Sequence, residues 1–233
     1  MKNAMLVSLL ILVAVSFVNA DHATKFKVRI ENVSTTETLK STSGATAPAG
    51  LSPGLFVIYK GENPILTSVM KDNKMALERL AEDGNPEPLV SLLQKQKGVM
   101  SAAVFNIPAG ASTAGPIGPG GAYEFTLTAN PGVKLSLAQM FGQSNDLFYS
   151  PDLSGIELFD SKGNAVNGEI TSKLVLWDAG TEMNQEPGFG PDQAPRQSAP
   201  NTGKEEHKEV GPVKDNFSYP STAQVLKITI THQ

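Results

Sequence analysis

Lys25-Phe26-Lys27-Val28-Arg29-Ile30-Glu31 sets three large apolar side chains at every second position, between four charged ones. Successive residues of an extended chain point to opposite faces, so a period of two makes a strand with one dry face and one wet face. Leu226-Lys227-Ile228-Thr229-Ile230-Thr231 repeats the alternation near the other end of the chain. The first strand is therefore expected to lie beside the last one, with both ends of the folded chain in the same layered body.

Between these two strands, short β-prone runs are separated by glycine, proline and asparagine turns: Leu55 to Tyr59, Val99 to Phe105, Tyr123 to Ala129, Lys134 to Met140, Ile156 to Asp160 and Glu169 to Trp177. Eight candidate strands at this density predict an all-β fold, an antiparallel β-sandwich. Asp160-Ser161-Lys162-Gly163-Asn164 places glycine where a tight turn needs a positive φ, which predicts a hairpin. One segment has a different period. Ala76, Leu77, Leu80 and Ala81 share a helical face, Asp83-Gly84-Asn85-Pro86 stops that helix, and a second runs from Pro88 through Lys97 with Gly98 as its end. This short helical insertion is expected to pack on the sandwich through its apolar residues. Pro108 to Gly121 and Glu186 to Pro212 read as long loops, the latter with five prolines and a charged patch from Lys204 to Glu209.

Residues 1–20 carry Lys2, an apolar run from Ala4 to Val18 and a small-residue end, Val18-Asn19-Ala20. This is the layout of a secretory signal peptide, and the run is shorter than the roughly twenty residues that a spanning helix needs. Cleavage after Ala20 would leave residues 21–233 as one sandwich domain, secreted or periplasmic, with no membrane insertion. The sequence has no cysteine, which excludes disulfides, thiolate nucleophiles and thiolate metal sites. Without Lys2, 18 basic residues stand against 23 acidic ones. That mild balance offers nothing to attract nucleic acid.

Catalytic patterns are scarce. G-x-S-x-G does not occur, and the three histidines, His22, His207 and His232, sit beside the cleavage site, in a charged loop and at the penultimate position. A zinc site would need histidine or cysteine at close spacing. In Gly115-Pro116-Ile117-Gly118-Pro119-Gly120-Gly121 the prolines remove amide donors, so a phosphate cradle is not expected. Asn32-Val33-Ser34 and Asn216-Phe217-Ser218 match the glycosylation sequon.

The distinctive chemistry lies in two acidic segments. Trp177-Asp178-Ala179-Gly180-Thr181-Glu182 ends an apolar strand with two carboxylates on a glycine-containing turn, and Ser144 to Asp152 supplies Asp146 and Asp152 after another strand. Calcium takes roughly six to eight oxygen ligands, which a sandwich gathers from loops at one end. Spacing leaves three readings open: cation ligands, the carboxylate pair of a glycosidase, or solvated turn caps. Trp177 reads as a core plug at a strand end.

Residues 25–231 resemble the spondin domain found in F-spondin and mindin, and more closely its stand-alone bacterial versions. Leu176-Trp177-Asp178-Ala179-Gly180-Thr181-Glu182 is similar to the family's W-D-A-G-T-D element, and Met140-Phe141-Gly142-Gln143-Ser144-Asn145-Asp146 to its S-P-D-W region. The resemblance implies a C2-like sandwich with one Ca2+ at its end, held by Asp146, Asp178 and Glu182, with Asp152 or backbone carbonyls as further candidate ligands. Glu182 stands where the family has aspartate, and Asn145 where the animal proteins have proline. Asn184 to Val213 differs from the animal domain, and because it leaves directly from Glu182 it is expected to wrap near the metal. The function expected on this basis is an exported calcium-binding module, not an enzyme, that adheres to an extracellular or periplasmic protein or glycan. A carbohydrate-directed hydrolase using Asp178 and Glu182, and a purely structural exported protein, are the alternatives.

Overall fold

The computed structural model describes residues 23–69 and 74–233. The signal segment and His22 lie outside the described residues. The strands are β1 (Thr24–Asn32), β2 (Leu39–Lys40), β3 (Thr46–Ala47), β4 (Leu51–Tyr59), β5 (Val99–Phe105), β6 (Ala122–Ala129), β7 (Lys134–Phe141), β8 (Leu147–Pro151), β9 (Ile156–Glu157), β10 (Gly168–Glu169), β11 (Leu174–Asp178), β12 (Gly211–Pro212) and β13 (Leu226–His232). The helices are α1 (Pro64–Val69), α2 (Lys74–Ala81), α3 (Glu87–Leu93) and α4 (Thr222–Val225).

Two antiparallel sheets face each other. One has the order β10-β13-β1-β6; the other runs β12-β11-β8-β7-β4-β5, with β9 also paired to β7, and β2-β3 form a separate small hairpin. β1 pairs with β13 as its alternation suggests, Val28 opposite Ile230 and Ile30 opposite Ile228. Phe26, Val28 and Ile30 are fully buried on the inner face, while Lys27 and Arg29 reach Glu124 of β6 in exposed ion pairs outside.

β4 lacks that alternation because both of its faces are covered. Phe56 and Ile58 enter the core between the sheets, whereas Leu55, Val57 and Tyr59 meet the helical layer on the other side. A strand buried on two faces reads as a continuous apolar run. Leu77, Leu80, Leu89 and Leu93 close this second core, so the helical insertion packs on the sandwich as expected. A helix that periodicity did not signal, α1, starts at Asn63-Pro64. There Asn63 Oδ1 accepts the Ile65 amide at 3.1 Å and proline takes the first helical position.

Three segments differ from expectation in detail. Leu147–Pro151, read as part of an acidic loop, is a strand with every residue buried. Ile156 to Asp160 contributes only two strand residues, although Asp160 and Asn164 do close a tight turn, the Asp160 amide donating to the Asn164 carbonyl at 2.8 Å. Glu169 to Trp177 is interrupted by a 3-10 turn over Thr171–Lys173, where the Thr171 hydroxyl accepts the Ile228 amide at 2.9 Å in place of a ladder partner. Several strands are only two residues long, which raises the strand total to thirteen among the described residues. No helix among the described residues is long and apolar enough to cross a membrane.

Candidate functional site

β8 and β11 pair with Asp178 opposite Leu147. This register sets Asp146, the residue before β8, against the turn that follows β11, and the Ala179 amide donates to the Asp146 carbonyl at 3.2 Å. The turn closes because Gly180 adopts φ +66°, a conformation that side chains disfavour. A Cβ at Gly180 would also stand 2.6 Å from the Lys208 carbonyl oxygen. With the chain so folded, its amides converge on carboxylates. Gly180 N–H donates to Asp178 Oδ1 at 2.7 Å, while the Thr181 amide at 2.7 Å, the Glu182 amide at 3.1 Å and the Thr181 hydroxyl at 3.2 Å all donate to Asp146 Oδ2.

Asp146 has no solvent-exposed surface. Its Oδ1 is buried and has no hydrogen-bond donor among the described residues. Burial pushes this carboxyl up to about 7, and the charge of nearby Asp178 pushes the same way, against the pull of the Thr181 and Glu182 donors. Asp178 is also buried. Its carboxyl is raised by burial, opposed by the Gly180 and Asn184 donors and by the Lys208 charge. Asn184 Nδ2 donates to Asp178 Oδ2 at 2.8 Å.

Glu182 is buried too, but its carboxylate is engaged elsewhere. Oε1 accepts the Gly203 amide at 3.0 Å, and Oε2 accepts Asn145 Nδ2 at 3.3 Å. It opens on a cavity of about 480 Å³ whose lining includes Glu78, Glu82, Glu205, Glu206 and His207. Glu82, just past α2 and 3% exposed, is pushed up to about 8 by burial, with Glu182 and Asp146 adding to the rise. Asp178 borders a different cavity, of about 410 Å³, together with Lys208, Glu209, Val210 and Lys214.

No family model matches the chain, and no curated protein matches it.

Of the residues singled out in the sequence, Asp146 and Asp178 are therefore neighbours, and Glu182 shares their turn while facing another cavity. Among the described residues no group of three or more His, Cys, Asp or Glu side chains is arranged to hold a metal ion. Asp152 is remote: the five residues of β8 separate it from Asp146, about 20 Å of extended chain. There its Oδ1 accepts the Ser154 amide at 2.9 Å and caps an exposed turn. Buried oxygens of two adjacent carboxyl groups, one of them without a donor, fit a hard cation by donor chemistry.

The segment after Glu182 does wrap this end. It returns antiparallel to the turn, with Met183 N–H donating to Lys204 O at 2.8 Å, Glu206 N–H to Thr181 O at 2.7 Å and Lys208 N–H to Gly180 O at 3.0 Å. Gln193, fully buried inside this segment, accepts the Gly188 amide at 3.0 Å. Trp177 plugs the second core, and its Nε1–H donates to the Ser150 carbonyl at 3.1 Å. Glu82 and Asn184 escaped sequence reasoning for different reasons. Glu82 looks like any acidic residue at a helix end, whereas Asn184 was visible as the first residue of the Asn184 to Val213 segment but carries no charge to mark it.

Proposed function

We propose that the protein is an exported, spondin-type binding module whose sandwich end is tied together by one calcium ion. Asp146 carries this proposal. A fully buried carboxylate whose donors are the uncharged groups of Thr181 and Glu182, with one oxygen left without a donor, sits beside a second buried carboxyl, Asp178. Burying unpaired carboxylates costs several kcal/mol. A divalent cation between Asp146 and Asp178 would remove both the repulsion and the missing coordination, and calcium suits an all-oxygen site.

Bound there, the ion would tie the β8 entry to the β11 turn, which in turn holds the returning segment of residues 203–208. The partner surface would then be the covering segment, and the partner an extracellular or periplasmic protein or glycan. Export is supported by the signal-like residues 1–20. The hydrolase reading has less support, because Asp178 and Glu182 border different cavities.

Calorimetric titration of calcium into chelator-treated protein, with melting followed in parallel, tests the ion. The absence of both binding heat and a rise in melting temperature would remove the ion from the proposal. Capture from an extracellular or periplasmic extract, with calcium and then with chelator, tests the partner. If Asp178→Asn lowers stability yet loses no captured partner, the protein is structural and not a binding module.

A further inference from the structure

We propose that Asn184, and not Glu182, supplies the third side-chain oxygen to the cation held by Asp146 and Asp178; this rests on the calcium reading above. Two side-chain oxygens next to Asp178 are buried without a donor among the described residues, Asp146 Oδ1 and Asn184 Oδ1. The orientation of the Asn184 amide is dictated by its neighbour. Its nitrogen donates to Asp178 Oδ2 at 2.8 Å, and turning the group over would set two oxygens against each other. The amide oxygen is thereby left as an acceptor that nothing engages, and amide oxygens are ordinary calcium ligands.

The backbone places all three residues together. Asp146 is clamped by the Thr181 and Glu182 amides, Asp178 by the Gly180 amide, and Asn184 by its bond to Asp178. Glu182 leaves the group because its carboxylate faces the glutamate-lined cavity, held there by the Gly203 amide and by Asn145 Nδ2. Charge agrees with this selection. Two aspartates neutralise a divalent cation, and an asparagine completes coordination without an excess negative charge in a buried site.

The test is calorimetric titration of Ca2+ alone into the wild type, Asn184→Ala, Asn184→Asp and Glu182→Gln, with apo melting curves to establish that each variant folds. Asn184→Ala should weaken calcium binding about tenfold or more, Asn184→Asp should keep it, and Glu182→Gln should stay within about twofold of the wild type. A folded Glu182→Gln protein that loses calcium, or a folded Asn184→Ala protein that binds like the wild type, overturns the assignment. A wild type that shows no calcium binding overturns the calcium reading itself, and the assignment with it.

Discussion

Thr181 donates both its backbone amide and its hydroxyl to Oδ2 of Asp146, at 2.7 and 3.2 Å. Two residues 35 positions apart are thereby joined through one carboxylate oxygen, and the strand end before β8 becomes the anchor for the turn after β11. The other oxygen of Asp146 is buried without a donor among the described residues. On the calcium reading proposed above, structural and ion-binding roles divide between the two oxygens of one side chain, and substitution can separate them.

Asp146→Ala leaves the amides of Thr181 and Glu182 buried without an acceptor, a defect that should cost about 2–4 kcal/mol in urea denaturation. Asp146→Asn keeps an acceptor for these amides and should lose less. Both variants should lose the calcium-dependent part of stability.

Calcium at a hundred times its dissociation constant stabilises a native protein that binds it by about 2.7 kcal/mol. For a chain of this size that corresponds to a rise of about 5–10 °C in melting temperature, read by calorimetry and reversed by chelator. Magnesium, which demands a smaller octahedral shell, should produce less.

Gly180→Ala places a Cβ at φ +66° and against the Lys208 carbonyl. A cost of about 2 kcal/mol or more is expected, together with weaker calcium binding, because the turn that presents Asp178 must shift. Alanine at Gly132, which has a positive φ but open space around it, should cost about 1 kcal/mol and leave calcium binding intact.

Trp177→Phe removes the indole donor to the Ser150 carbonyl and shrinks the plug of the second core. About 1–3 kcal/mol should be lost in equilibrium unfolding. As Trp177 is the sole tryptophan, the wild-type transition can be followed by its fluorescence.

Asn32 ends β1 inside the protein, where its Nδ2 donates to Ala49 O at 2.8 Å and to Ile117 O at 3.1 Å, and its Oδ1 accepts the Ser34 amide at 3.0 Å and the Ser34 hydroxyl at 2.6 Å. Asn32→Ala should cost about 2–4 kcal/mol by thermal or chemical denaturation. The sequon there is sealed by these bonds, in contrast to the exposed Asn216.

The β-sandwich was legible in residues 25–31 and 226–231, because a strand with one wet face must alternate, and in the helical period of Ala76 to Ala81. β8 was not legible: both of its faces are covered, so no alternation marks it, and its flanking aspartates look like loop residues. Local pattern likewise brought Asp146, Asp152, Asp178 and Glu182 forward as candidates, since acidic residues at strand ends announce themselves in one dimension, and the resemblance to the spondin domain pointed to Asp146, Asp178 and Glu182 among them. How they divide could not be read there. The β8–β11 register brings Asp146 to Asp178, the positive φ of Gly180 turns the chain, and the returning Gly203 amide draws Glu182 away. The register and the Gly203 bond join residues distant in sequence, and a neutral side chain such as Asn184 gains meaning only through the carboxylate it is folded against.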